Sequence, residues 1–179
     1  MYEEITKKVS IVSLSDRQYC VVMDPVDPTT GKNRLGHGKV VKGEASFFLN
    51  PGENLKNDRI NDIYILGENE GLVLRAIAEH LEGEGKDARE RKPGDYWMIQ
   101  GPMEYVPSVM VEVVTKRRAI PLHENEGIYV RNTKTGSVRA VIGETYMLRE
   151  HEELWEKKMS SVMRSLLDKN RYAYTQVPL

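Results

Sequence analysis

The sequence predicts a mainly β protein, built from small antiparallel β-sheet domains in tandem, arranged as an extended rod and followed by a short C-terminal helix. The main observation is a pattern of one glycine, one acidic residue and an apolar run that occurs three times, at a spacing of about fifty residues. Such self-similarity is the signature of stacked structural units. The three copies begin at Gly43-Glu44, Gly94-Asp95 and Gly143-Glu144.

The central copy is the stretch GDYWMIQGPMEYVP, which runs from Gly94 to Pro107. Its four large residues, Trp97 among them, stand between one glycine and the pair Gly101-Pro102. A short apolar run bounded by turn residues is typical of a strand buried on both faces. Glycine and proline disfavour a helix interior, so the pattern predicts a strand here.

A second marker repeats beside the first. The string LGENEG begins at Leu66 and LHENEG begins at Leu122, and an apolar run follows each of them. The spacing of these two strings is again about fifty residues, so they support the same repeat.

These markers divide the chain into four parts. We predict β-repeat domains at 1–60, 61–115 and 116–155, with the end of the third left open. Apolar residues then recur at threes and fours from Trp155 onward, which predicts an amphipathic helix and a frayed tail within 156–179; a truncated fourth repeat is the alternative. Domains of about fifty residues bury little core alone, so neighbouring repeats are expected to stabilise one another.

Composition narrows the functional classes. The 179 residues carry a net charge of −1 with scattered Lys and Arg, which disfavours direct DNA binding. The single cysteine excludes an intramolecular disulfide, and no run approaches the roughly twenty apolar residues that span a bilayer. The N-terminus lacks the apolar segment of a signal peptide. We therefore expect a cytoplasmic protein without a membrane partner.

No pattern of residues predicts catalysis, a metal centre or a cofactor. Glu44, Asp95 and Glu144 each follow a turn glycine, so they are interpreted as structural hydrogen-bond acceptors rather than as catalytic acids. Asp24 and Asp27 are weak calcium candidates, but the order of a calcium loop is absent and the string DPVDP indicates consecutive turns. We predict that the protein is not an enzyme and binds no cofactor.

Three long strings resemble the repeats of the major vault protein family: VVKGEASFFLNPGE, GDYWMIQGPMEYVPSVMVEVV and RRAIPLHENEGIYVRNTKTGSVRAVIGETYML. The resemblance runs from about Val9 to Trp155. The chain is shorter than a complete member, so it is similar to a fragment of the N-terminal vault-repeat region. It departs from the family at Met159-Ser160-Ser161, where members carry a proline-rich break.

The resemblance implies a structural role. Members stand side by side with identical chains and form the wall of a hollow ribonucleoprotein particle, which is found in the cytoplasm and also in the nucleus. It also implies scaffolding of signalling proteins, nucleo-cytoplasmic transport, and vault-associated proteins and vault RNA as partners of the particle. We predict lateral contacts through the polar loops Glu79–Lys92 and Asn132–Gly136. The alternative is a protein- or calcium-binding adaptor built from β-repeats.

Overall fold

A computed structural model of the protein describes residues 9–83, 88–156, 160–162 and 165–166. The chain divides into two compact units, of which the first ends at Ile120 and the second begins at Pro121. Most of the described residues in regular structure are in β-strands. The strands are β1 Val12–Leu14, β2 Gln18–Met23, β3 Gly38–Lys42, β4 Ala45–Phe47, β5 Asn54–Asp62, β6 Tyr64–Leu66, β7 Glu70–Ala76, β8 His80–Glu82, β9 Arg89–Arg91, β10 Tyr96–Gln100, β11 Met103–Tyr105, β12 Val111–Arg118, β13 Gly127–Asn132, β14 Val138–Ile142 and β15 Glu152–Leu154.

One topology occurs three times. We call β1–β5 the first module, β6–β12 the second and β13–β15 the third. Each holds a three-stranded antiparallel sheet, in the orders β3-β2-β5, β10-β7-β12 and β14-β13-β15. In the first two modules a small ribbon pairs β1 with β4 and β6 with β11, and the second adds the hairpin β8-β9. The predicted mainly β class with small antiparallel sheets is confirmed, whereas the rod shape and the domain boundaries stay predictions.

The inner face of each central strand carries the core, as strand alternation requires. In the first module Cys20 and Val22 pack with Leu14. In the second module the core is larger, with Leu72, Leu74 and Trp97 all buried. The third module buries Val130 and Val141.

The predicted strand at 96–99 is present as β10, but it lies at the edge of its sheet and is not buried on both faces. Trp97 is buried, whereas Tyr96, Met98 and Ile99 are only half-buried. In this sheet the strand buried on both faces is the central β7, whose run from Gly71 to Leu74 is buried throughout.

Within the described residues, six β-turns share one pattern of hydrogen bonds, which we call the turn clasp. The backbone N–H of the fourth residue donates to the carbonyl of the first, over 2.8 to 3.2 Å. In return the side chain of the fourth residue accepts from the N–H of the first, also over 2.8 to 3.2 Å. The clasped turns are Ser15–Gln18, Asn50–Glu53, Gly67–Glu70, Lys92–Asp95, His123–Glu126 and Arg149–Glu152.

The turn clasps fix the true register of the repeat. The N–H groups of Gly43, Gly101 and Gly143 donate to the carbonyls of the clasp residues Gln18, Glu70 and Glu126, respectively. Gly101 therefore occupies the position of Gly43 and Gly143. The spacing-based equivalence of Gly94 with those glycines is wrong, because Gly94 lies in the turn before β10 rather than after it.

The C-terminal helix prediction falls largely outside the described residues. Ser161, Val162, Ser165 and Leu166 are helical. Residues 157–159, 163–164 and 167–179, which include the predicted frayed tail, lie outside the part that the structure describes.

Candidate interaction surface

The outer face of the first sheet, opposite its core, is covered by the second module. Tyr19 and Val21 are 6% and 8% exposed on this face. The turn after β11, from Pro107 to Val109, lies against them and leaves a cleft of about 220 Å³. Burial raises the pKa of Tyr19, and the Tyr64 hydroxyl adds to that rise. The contact is therefore a desolvated module-to-module interface, in which a turn docks on a sheet face.

Gly38 makes this docking sterically possible. It pairs with Met23 at the end of the first sheet, on the face that holds Val21. A Cβ at residue 38 would lie 2.6 Å from Val109 Cγ1 and 3.2 Å from Val109 Cγ2, closer than van der Waals contact permits. The absence of a side chain at Gly38 lets Val109 approach the backbone of β3.

The same face is open in the third module. Tyr129 pairs with Ala140 and Gly127 pairs with Ile142, so these residues lie on the side opposite Val130. Tyr129 and Ile142 are 56% and 65% exposed. Trp155 packs edge-on against the Tyr129 ring, with 5.9 Å between ring centroids. The outer face of this sheet is thus a predominantly apolar surface that includes the aromatic pair of Tyr129 and Trp155.

An ion pair repeats on the outer faces of the second and third sheets. Arg75 on β7 pairs with Glu112 on β12, and Arg131 on β13 pairs with Glu153 on β15 at 3.5 Å. Both pairs join residues directly opposite each other across the sheet. They occupy equivalent positions in the repeat, so the outer faces of both sheets carry a matched charge pair.

Two of the clasp carboxylates also form ion pairs with Lys or Arg side chains. The Glu70 carboxylate accepts from Lys116 Nζ at 2.8 Å and Arg118 Nε at 3.1 Å, in addition to its turn N–H. The hydrogen bond from Lys116 is the main reason that its pKa falls to about 2, with the Gly67 N–H and Arg118 adding to it. This carboxylate ties the turn before β7 to the far end of β12.

In the third module Glu152, which closes the clasp before β15, is buried. Its carboxylate accepts from Arg139 Nη2 at 2.9 Å and from the Tyr146 hydroxyl at 2.6 Å. Burial alone would raise the pKa of Glu152, but the Tyr146, Arg149 and Arg139 donors outweigh burial and lower it.

The two loops predicted as lateral contacts have defined structure in their described parts. In the first loop, Arg91 pairs with Glu82 at 2.8 Å and its guanidinium lies 4.5 Å from the Trp97 ring centroid. In the second loop, Asn132 Oδ1 accepts from the Lys134 and Thr135 N–H groups. Residues 84–87 at the tip of the first loop lie outside the described range. A lateral role for either loop stays a prediction.

The weak calcium candidates Asp24 and Asp27 both serve as turn acceptors. Asp27 accepts from the Thr29 N–H at 2.8 Å and from Arg34 Nε at 2.8 Å, and these donors lower its pKa, the Thr29 bond most. Asp24 Oδ1 accepts from the Gly36 N–H at 2.6 Å. Across the described ranges no group of three or more His, Cys, Asp or Glu side chains is placed to hold a metal ion. Calcium binding stays a prediction.

The acidic residues predicted as structural hydrogen-bond acceptors have different environments in the structure. Asp95 closes its turn by accepting from the Lys92 N–H at 2.9 Å. Glu44 and Glu144 are exposed. The sequence interpretation missed the more important acceptors, Glu53, Glu70, Glu126 and Glu152. The signal for Glu70 and Glu126 was present in LGENEG and LHENEG, where the last glutamate stands three residues after the turn begins.

Among the described residues, no helix has the length and apolar character needed to cross a bilayer.

The fold and the interface between the first two modules define a class: tandem-repeat proteins built from small β-modules, of which these two dock turn-on-face. Comparison with known protein families supports this class. Models of the Major Vault Protein repeat domain match residues 11–58, 64–108 and 119–179. The chain therefore belongs to the major vault protein family.

Individual relatives support the same assignment. The chain is 57% identical to the major vault protein of Strongylocentrotus purpuratus, over 93% of this chain and 19% of that protein. It is 53% identical to those of Danio rerio and Homo sapiens, over 94% and 96% of this chain and 21% and 19% of theirs. The chain spans about a fifth of the length of these curated relatives.

Proposed function

We propose that the chain is a structural wall segment of the vault particle, which assembles side by side with identical chains into a hollow shell. The observation that carries the assignment as a wall segment of stacked modules is the pair of outer faces. In the first module this face is buried under a turn of the next module, and in the third module the equivalent face is apolar and exposed. A face of that kind is suited to receive another turn, as repeat arrays require.

Side-by-side assembly demands a second surface. A closed ring needs one flank that complements the opposite flank of the neighbouring chain. The exposed charge pairs Arg75–Glu112 and Arg131–Glu153 recur at the same position in two modules, so they offer a periodic set of charges along the chain. Rim charges of this type set register more than affinity, and many weak contacts along a complete chain would add up through multivalency.

The proposal also covers the cellular location of the particle and its partners. We infer a cytoplasmic and nuclear particle in which vault RNA, vault-associated proteins and signalling proteins are held by the assembled shell. The adaptor alternative shares the open apolar face but predicts no shell.

A replacement experiment tests the proposal. The matching segment of the complete Danio rerio major vault protein is exchanged for this chain, and the product is studied by sedimentation and negative-stain imaging. Hollow barrels are expected, as with the unaltered relative. A folded product that stays small and soluble would overturn the wall assignment and favour the adaptor.

A further inference from the structure

The cleft between the first two modules has a polar side made of cations and hydrogen-bond donors. Its volume of about 220 Å³ is below the roughly 300–1,000 Å³ usual for sites of drug-sized ligands, so it suits a small group. Among the described residues that line it, none is a carboxylate. The polar side includes Tyr19, Lys56, Arg59, Asn61, Tyr64 and Ser108.

A bulge in β5 carries the two cations of the cleft. The four residues from Lys56 to Arg59 stand opposite the single residue Val21 of β2, because the register shifts at this point. Asn57 and Asp58, in the middle of the bulge, have left-handed φ angles of 58° and 51°. Two such residues in succession make a tight turn. Lys56 and Arg59 are therefore the first and last residues of a turn, and both line the cleft.

Neither of these cations is already neutralised. Within the part of the chain that the structure describes, Lys56 and Arg59 form no ion pair, not even with Asp58 between them in sequence. Both side chains are exposed, so an anion can pair with them without first breaking an internal bond. The arginine guanidinium is planar and presents parallel donors that match the oxygens of a phosphate.

Two phenol hydroxyls of the cleft lack an acceptor. Tyr19 is 6% exposed and Tyr64 is half-buried, and neither hydroxyl forms a hydrogen bond with a described group. The Tyr64 hydroxyl contributes to the raised pKa of Tyr19, so the two groups lie near each other. The raised pKa keeps Tyr19 protonated at neutral pH, and it is therefore a donor. A donor in so buried a residue requires an acceptor, and an oxyanion supplies one.

We propose that this cleft binds a small tetrahedral oxyanion of the phosphate class. The hydroxyls of Tyr19 and Tyr64 donate to the anion, and the side chains of Lys56 and Arg59 pair with its charge. Tyr19 and the two cations belong to the first module and Tyr64 to the second, so the bound anion joins the two modules. The assignment is independent of shell assembly, because every group that it uses lies within one chain.

The test is a titration of the full chain with inorganic phosphate at constant ionic strength, followed by amide NMR, with chloride as the control anion. We expect saturable shift changes at Arg59, Asn61 and Ser108, and none at Lys134, an exposed lysine of the third module. Methyl phosphate is the second probe. Saturable binding of both probes would assign phosphate monoesters, and binding of inorganic phosphate alone would assign the free ion; each result supports the site.

The decisive variant is Tyr19→Phe, which removes only the hydroxyl. It should weaken phosphate binding about tenfold, as expected for a hydrogen bond to a charged group. Tyr129→Phe removes an exposed hydroxyl outside the cleft and is the matched control, with binding unchanged. If Tyr19→Phe fails to fold, Arg59→Gln on the exposed bulge takes its place and should weaken binding about two- to fivefold. Lys134→Gln is the control for that variant.

Two results would overturn the proposal. One is a set of shift changes that do not saturate, or that appear equally at Lys134 and in the chloride titration. The other is undiminished phosphate binding by folded Tyr19→Phe or Arg59→Gln chains.

Discussion

Single residues set the geometry of the repeat, and the glycines show this most directly. A Cβ at Gly101 would lie 2.2 Å from the Gly67 carbonyl oxygen, so the chain after β10 passes directly over the clasped turn before β7. Gly38 instead makes room for a side chain of the following module. The absence of a side chain at Gly101 therefore allows close packing within the second module, and its absence at Gly38 allows two modules to dock.

At Gly38 the structure predicts a steric effect that can be reversed. Gly38→Ala should lower Tm, because the new methyl group would collide with Val109. Val109→Ala in the same chain should restore part of the loss, since it removes both atoms that clash. Thermal unfolding of the two single variants and the double variant measures this coupling. Strictly additive effects would contradict the proposed contact.

The pH dependence of Glu70 gives a second test. Its pKa in the folded chain is about 2, below the ordinary value of 4.5, so its stabilising contribution is fully present above pH 4.5. As the pH falls from 4.5 towards 2 the contribution is lost. Glu70→Gln should therefore lower stability at pH 7 and have a smaller effect near pH 2, as measured by urea unfolding. Glu68→Gln, two residues away on the exposed turn, is the matched control; an equal loss in both variants would count against the ion cluster.

At the scale of elements, the β8-β9 hairpin is anchored to the second core by Arg91. Arg91→Ala should remove the cation over Trp97 and the bond to Glu82, at a cost of about 0.5–2 kcal/mol. The indole would become more exposed, so tryptophan fluorescence should shift to the red. Arg89→Ala, at the exposed position two residues earlier on the same strand, is the control. An unchanged spectrum in Arg91→Ala would show that the hairpin is held by other contacts.

Truncation of a buried side chain on a central strand is expected to lower the free energy of unfolding more than truncation of an exposed side chain. Leu72 on β7 is fully buried, and Leu72→Ala should cost about 2–5 kcal/mol through lost burial and the cavity that remains. Val114→Ala on β12, where the native side chain is 47% exposed, should cost much less. Equilibrium unfolding in urea distinguishes the two. Similar costs at both positions would contradict the assignment of β7 as the buried centre of its sheet.

Much of this element-level description could be predicted from sequence, and the exceptions have physical causes. Strands around Trp97, Ile128 and Val138 follow from local periodicity and turn residues. The equivalence of Gly101 with Gly43 could not, because it depends on a backbone bond to Glu70 that lies far away in the chain. The same holds for the ion pairs of Glu70 and for the cleft between the first two modules, which arise only when distant strands are aligned.

At the scale of the whole chain, the account is that of a repeat protein in which the second module buries the outer face of the first. The first unit already contains one such interface, between the first and second modules. The third module carries an open face of the same register. Assembly into a shell would then extend a contact that the chain makes within itself, with surface charges providing register.

The most direct test of this account is negative-stain imaging of the replaced Danio rerio protein with one further change on the open face. Tyr129→Asp introduces a charge where the account places a buried contact, so barrels should be lost or become much rarer. Leu35→Asp, at a side chain that is 80% exposed in the first module, should leave them intact. Barrels formed equally well by both variants would contradict the claim that this face carries the packing of the wall.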